Sequence, residues 1–231
     1  MNFVEPIRNI DDLNSIRNEL KKYNEMYYLI FEYGIQTGLR ISDILDLTIQ
    51  EVEKDYIEIY EKKTGKFKKF ALKPKLKQEL LDFAKKNKVE KYFFKSSWYL
   101  KEGKPINRCQ VYKIFNKCAK KIGYNAKIGT HTMRKTFGYH FYKQTHNVVL
   151  LQKIFNHSTP EVTLRYIGIN QDLINQAYEK FDYSKKEIIA VTNEDLNNKI
   201  CKLEEQIVKL EDTITACMNY GFDRIDKLLS Y

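Results

Sequence analysis

Two stretches, His131 to Thr145 (HTMRKTFGYHFYKQT) and Asn156 to Tyr166 (NHSTPEVTLRY), decide how this chain is read. His131 and Arg134 open a helical run, and Tyr166 stands nine places after His157. Apolar spacing and turn residues predict helices over 131–144, 147–155 and 160–166. Upstream, residues 37–47 read TGLRISDILDL, which sets Arg40 and Asp43 at the start of another apolar helix. Its buried face is expected to carry Ile41, Ile44, Leu45 and Leu47.

Outward from these segments the pattern stays helical. Ile10, Leu13, Ile16 and Leu20 recur at helix spacing behind Asp11 and Asp12, and a second helix covers about 24–36 until Thr37-Gly38 breaks it. Residues 56–60 alternate as a strand, Lys63-Thr64-Gly65-Lys66 is a turn, and 67–72 reads as the returning strand. Pro74 fits the first turn of a helix reaching about Lys86. Further helices are expected from Asn107, a natural N-cap, to Lys121, and over about 171–181. The fold class is therefore mainly α with a small antiparallel β-sheet.

Residues 184–192 read as a linker. Beyond them Leu196, Ile200, Leu203, Ile207, Leu210, Ile214 and Cys217 step alternately by four and three, the seam of a coiled coil with Glu and Lys on its flanks. Gly221 interrupts it. The expected organisation is a body at 1–183, the linker, and a self-associating coiled-coil helix at 193–231.

Hydrophobic content of 43% and aromatic content of 13% suit a globular protein. No apolar run is long enough to span a bilayer, and the N-terminus lacks the pattern of a secretion signal. Cys109, Cys118, Cys201 and Cys217 have neither CxxC pairing nor zinc spacing, so free thiols and a cytoplasmic location are expected. The net charge of +10 divides into +12 for 1–183 and −2 for 184–231, which directs a polyanionic partner to the body. Lysine abundance alone says little, because Asn, Ile and Tyr are abundant too. Arginine says more: seven stand against 33 lysines, and both Arg40 and Arg134 fall in the motifs. The guanidinium fork grips two phosphate oxygens in one fixed geometry, which an ammonium cannot do.

These residue types suit cleavage of a phosphodiester without a metal. Arg40, Arg134 and His157 can face the charge that develops on the non-bridging oxygens. Tyr166 can attack once a neighbour takes its proton, since a free phenol has a pKa of about 10. His131 is the candidate base, and Lys63 on the hairpin can protonate the departing 5′ oxygen. Singly, each residue has an ordinary reading as a surface ion pair, a capping histidine or one more tyrosine. Their order and tight spacing make the set specific. His140 and His146 lie outside it and read as structural.

At these positions the chain resembles the tyrosine recombinase (phage integrase) family over about residues 5–182. The first box is TGLRISDILDL with Arg40 and the supporting Asp43. The hairpin lysine is Lys63 in KKTGK, and the second box holds His131, Arg134, His157 and Tyr166. The resemblance implies a site-specific recombinase that joins double-stranded DNA through a 3′-phosphotyrosine, with no cofactor and no metal. It implies a tetramer on two DNA sites, with the helix near 171–182 docking on a neighbouring subunit. Lys62, Lys66, Lys68, Lys69, Lys135 and Arg165 are candidate DNA contacts. Two departures stand out: Asn156 where many relatives have Gly, and only about 24 residues ahead of the helix leading to Arg40. The second leads to the expectation that the usual N-terminal DNA-clamping domain is absent. An accessory DNA-binding protein or the coiled coil would then compensate. A non-catalytic DNA-bridging protein and a type IB topoisomerase-like enzyme are the alternatives.

Overall fold

The computed structural model describes residues 4–95, 105–129, 131–181 and 200–210, and among the described residues ten helices and one hairpin form the body. The order is α1 (Ile10–Tyr23), α2 (Glu25–Thr37), α3 (Ile41–Leu45), α4 (Ile49–Glu53), β1 (Ile57–Tyr60), β2 (Phe67–Phe70), α5 (Pro74–Asn87), α6 (Arg108–Lys121), α7 (Thr132–Thr145), α8 (Val148–Phe155), α9 (Pro160–Ile167) and α10 (Ile169–Lys180). Helix starts follow their polar caps. Asn9, Asn24, Asn107, Asn147 and Thr159 each accept a backbone N–H of the first turn.

The main core gathers the apolar faces of α1, α2, α5 and α6 with Ile41, Ile44 and Leu45 of α3. A second cluster, built on Leu151, Phe155, Ile167 and Ile169, joins α8 and α9 to the aromatic face of α7. Close approach at α7 depends on Gly138, where a Cβ would lie 2.7 Å from both Ile167 and Phe155. β1 and β2 pair antiparallel in the register Ile57↔Phe70, Glu58↔Lys69, Ile59↔Lys68 and Tyr60↔Phe67.

The expected helix after Arg40 is shorter than its sequence suggests and is followed by α4, which the apolar pattern does not announce. Five residues are too few to display a period. The local signal is Thr48-x-x-Glu51: the Glu51 carboxylate accepts the Thr48 N–H at 2.7 Å and its hydroxyl at 2.8 Å. The chain divides into two units, 1–179 and 180–231. Residues 200–210 are helical, with Ile200, Leu203, Ile207 and Leu210 exposed. The linker and the rest of the expected seam, 193–199 and 211–231, lie outside the described residues.

Candidate active site

Arg134 is carried on the first turn of α7 and points inward, 2% exposed. Its Nη1 donates to the Gly38 carbonyl at 2.7 Å and its Nη2 to the Phe155 carbonyl at 2.9 Å. The guanidinium also stacks on the Phe155 ring, 4.2 Å from the centroid. Gly38 can offer that carbonyl because it takes a left-handed conformation (φ 64°) after α2, in a place where a Cβ would sit 2.4 Å from Phe137. Arg134 is thus oriented by the α2–α3 turn and the end of α8 before any ligand arrives.

Arg40, at the N-cap of α3, approaches from the other side. Its Nη1 stands 2.8 Å from Oε1 of Glu61, a carboxylate with no exposed surface. The same oxygen lies 3.0 Å from Lys68 Nζ and 3.7 Å from Arg134 Nη1. Arg40 Nη1, Glu61 Oε1 and Lys68 Nζ have no partner of hydrogen-bond geometry, so attraction between charges holds them together. The other oxygen, Oε2, accepts the Thr64 hydroxyl at 2.8 Å and the Asn156 amide at 3.2 Å. Burial opposes the Glu61 charge, yet the Thr64 hydroxyl and the cations outweigh it and hold the carboxyl at about 2.

Tyr166, on the last turn of α9, is half-buried, and its hydroxyl is 2.9 Å from Nδ1 of His131. The phenol ring packs edge-on against His131, Phe155 and His157. Burial raises the phenol pKa, while Arg134 and Arg40 pull it back. Lost hydration lowers the His131 pKa, and Arg134, Lys63, Lys135 and Arg40 lower it further. At pH 7 His131 is therefore neutral, with Nδ1 able to accept the phenol proton.

His157 follows Asn156, which closes α8 in a left-handed conformation (φ 53°) of the kind Gly and Asn adopt most easily. Gln152 fixes this turn by donating to the carbonyls of His157 and Ser158. Nδ1 of His157 is 3.1 Å from the Thr163 hydroxyl, which in turn donates to the Thr159 carbonyl at 3.2 Å. A hydroxyl so engaged accepts the Nδ1 proton and leaves Nε2 for a ligand. Desolvation, then Arg134, Arg40 and Lys68, push the His157 pKa down to about 4.

The structure thus brings Arg40, His131, Arg134, His157 and Tyr166 together, with Lys63 exposed on the adjoining hairpin turn and its charge felt at His131. Asp43, the supporting acid of the first box, lies in the first turn of α3. Its carboxylate accepts the Lys62 backbone N–H at 3.1 Å and so ties the hairpin to α3, while Glu61 is the carboxylate that meets Arg40. Two of the candidate DNA lysines are corrected. Lys68 pairs with Ile59 in the ladder and shares its body-facing side, leaving its side chain 10% exposed. Lys135 is 4% exposed, with Nζ 5.3 Å from the Tyr166 ring centre. Lys66 and Arg165 are exposed, Lys62 pairs with Asp46, and Lys69 pairs with Glu58. His140 bonds the Ile7 carbonyl and His146 closes α7, both structural positions. Glu61 and Thr163 are the members of the site that sequence reasoning missed. The alternation Ile57, Ile59, Glu61 would have placed the glutamate inward.

Comparison with known proteins gives concordant results. The model of the phage integrase family matches residues 8–172. The chain is 43% identical over 182 residues to a protein named probable integrase/recombinase YoeC of Bacillus subtilis (strain 168), covering 78% of this chain and 98% of that one. It is 30% identical over 184 residues to the probable integrase/recombinase of Acholeplasma phage L2, covering 74% of this chain and 61% of that protein. Among solved structures, XerH site-specific recombinase bound to palindromic difH substrate in a post-cleavage complex superposes with a TM-score of 0.61 at 18% identity, over 78% of this chain and 54% of that one. The catalytic domain of bacteriophage HP1 integrase gives 0.55 at 22% identity, over 79% and 98%. At such identities the structural likeness speaks for the fold alone.

Proposed function

We infer the activity from a plain premise: this chain belongs to the phage integrase family. It is a DNA strand transferase that cuts and rejoins duplex DNA site-specifically. The observation that carries this reading is the Tyr166 hydroxyl, 2.9 Å from Nδ1 of His131 and next to two arginine forks.

Arg40, Arg134 and His157, which takes up a proton at Nε2 as the phosphate binds, hold the scissile phosphate, and their charge meets the negative charge that grows as attack proceeds. The Tyr166 oxygen forms a bond to phosphorus while its proton passes to Nδ1 of His131. The bond from phosphorus to the 5′ oxygen breaks, and Lys63 gives that oxygen a proton. A 3′-phosphotyrosine and a free 5′-hydroxyl result. Attack by another 5′-hydroxyl reverses the sequence and joins a new strand, so no energy source is consumed.

The same family reading extends to assembly. Leu173, Ile174, Tyr178 and Phe181 of the α10 region expose apolar surface, which suits docking on a neighbouring subunit of a tetramer. The exposed Ile200, Leu203, Ile207 and Leu210 suit self-association through a coiled coil, with an accessory DNA-binding protein as a further partner. Removing residues 193–231 should lower the oligomer mass measured by sedimentation, and an unchanged mass would remove the coiled coil from the assembly.

Tyr166→Phe tests the chemistry. On a nicked duplex that traps the intermediate, wild type should give a covalent protein–DNA adduct, whereas the variant should bind DNA and give none. An adduct formed by the variant would assign the attack to another residue.

A further inference from the structure

We propose that Glu61 is a positioning residue for the strand-cleavage step: a buried anion beneath the phosphate site that holds Arg40 and the Lys63 hairpin in register with Arg134 and His157. The inference rests on the cleavage reading above. Its basis is a convergence of contacts on one carboxylate. One oxygen of Glu61 lies among Arg40, Lys68 and Arg134, and the other binds Thr64 of the hairpin turn and Asn156 beside His157. The carboxylate has no exposed surface, whereas the Arg40 side chain is 16% exposed. Glu61 therefore supports the arginine from beneath and leaves the open side to substrate.

The charges explain why an anion is needed. Arg40, Lys68 and Arg134 would repel one another in a region stripped of water, and the hydrogen bonds that fix Arg134 come from carbonyls, not from a counter-ion. Glu61 supplies the missing negative charge, and Lys68 is its permanent partner. Without the anion Arg40 loses the contact that aims it, and the hairpin turn loses one tie to the loop of His157. Misplacement of about 1 Å at a reacting group costs on the order of 100-fold in rate.

The test compares full-length wild type, Glu61→Gln, Lys68→Met and the double variant by single-turnover adduct formation on a nicked duplex, by DNA affinity and by thermal unfolding. Glu61→Gln keeps the shape but removes the charge. Its adduct rate should fall on the order of 100-fold, with DNA affinity within about threefold of wild type. Adding Lys68→Met takes away the unbalanced ammonium and should recover about tenfold of the lost rate. Lys68→Met alone should stay within about threefold of wild type, because Glu61 still holds Arg40.

A merely structural glutamate would lower the unfolding temperature, and removing a second buried side chain would not restore the rate. Wild-type cleavage by Glu61→Gln overturns the proposal, as does a folded double variant no faster than the single one. Should Glu61→Gln not fold, the double variant, which buries no unpaired ammonium, decides: cleavage about tenfold below wild type supports the assignment, and wild-type cleavage overturns it. Absence of adduct from wild type would instead sink the cleavage reading.

Discussion

Arg134 and Lys63 serve one phosphate in the proposed reaction, yet they are built in opposite ways. Arg134 is 2% exposed and donates to two backbone carbonyls, whereas Lys63 stands in solvent on a hairpin turn. The difference follows from their tasks. A group that stabilises developing charge works best when its position is fixed beforehand, so that no reorganisation accompanies the reaction. A group that hands over a proton must reach a leaving oxygen that moves away.

The sharpest way to break this contrast is at the buried pole. Arg134→Lys keeps the charge but cannot span both carbonyls, so adduct formation should fall about 1,000-fold. Denaturant unfolding should show a loss of about 2 to 3 kcal/mol from the carbonyl left unpaired. If activity falls and stability does not, the two carbonyl contacts are not what holds the arginine.

At the exposed pole Lys63→Met should slow adduct formation about 100- to 1,000-fold. Unfolding should stay within about 0.5 kcal/mol of wild type. A substrate with sulfur in place of the bridging 5′ oxygen needs no acid and should restore the rate. Failure of that substrate to do so would move the proton donor elsewhere.

The smallest effect is in protons. His157 is neutral in the free protein because its pKa lies near 4, and a phosphate against Nε2 favours the imidazolium. Binding should then draw in up to one proton, so affinity strengthens as pH falls from 8 towards 6 by less than about tenfold per unit. Calorimetry in buffers of different ionisation heat would detect this uptake, and His157→Gln should remove it. The stability sign is the same for His157 and Glu61, since folding lowers both pKa values, but the pH windows differ. His157, with a folded pKa below its ordinary 6.5, makes the protein less stable as pH drops from about 6.5 to about 4. Glu61, held near 2 against an ordinary 4.5, gives stability that is full above 4.5 and is lost as pH falls through 2.

What the sequence disclosed follows the same division. The residues proposed to meet the reacting atoms stand in short, ordered motifs, so Arg40, His131, Arg134, His157 and Tyr166 could be picked out from spacing. Long amphipathic helices such as α1 and α6 were also plain, because 14 residues give the apolar period room to repeat. The supporting groups were not. Lys68 and Lys135 look like surface lysines in a lysine-rich chain, and only the strand register and the packing of α7 turn them inward. Glu61 lies 21 places from Arg40, so their contact crosses from the hairpin and no local spacing records it. Asn156 follows from its backbone: a left-handed residue was required there, and its amide then reached Glu61.

The two carbonyls that seat Arg134 come from 96 residues earlier and 21 residues later in the chain. A nascent polypeptide released before α8 has docked owns every charged side chain of the first two motifs but has no finished socket for the fork. The socket of the fork is therefore finished only when the native architecture is.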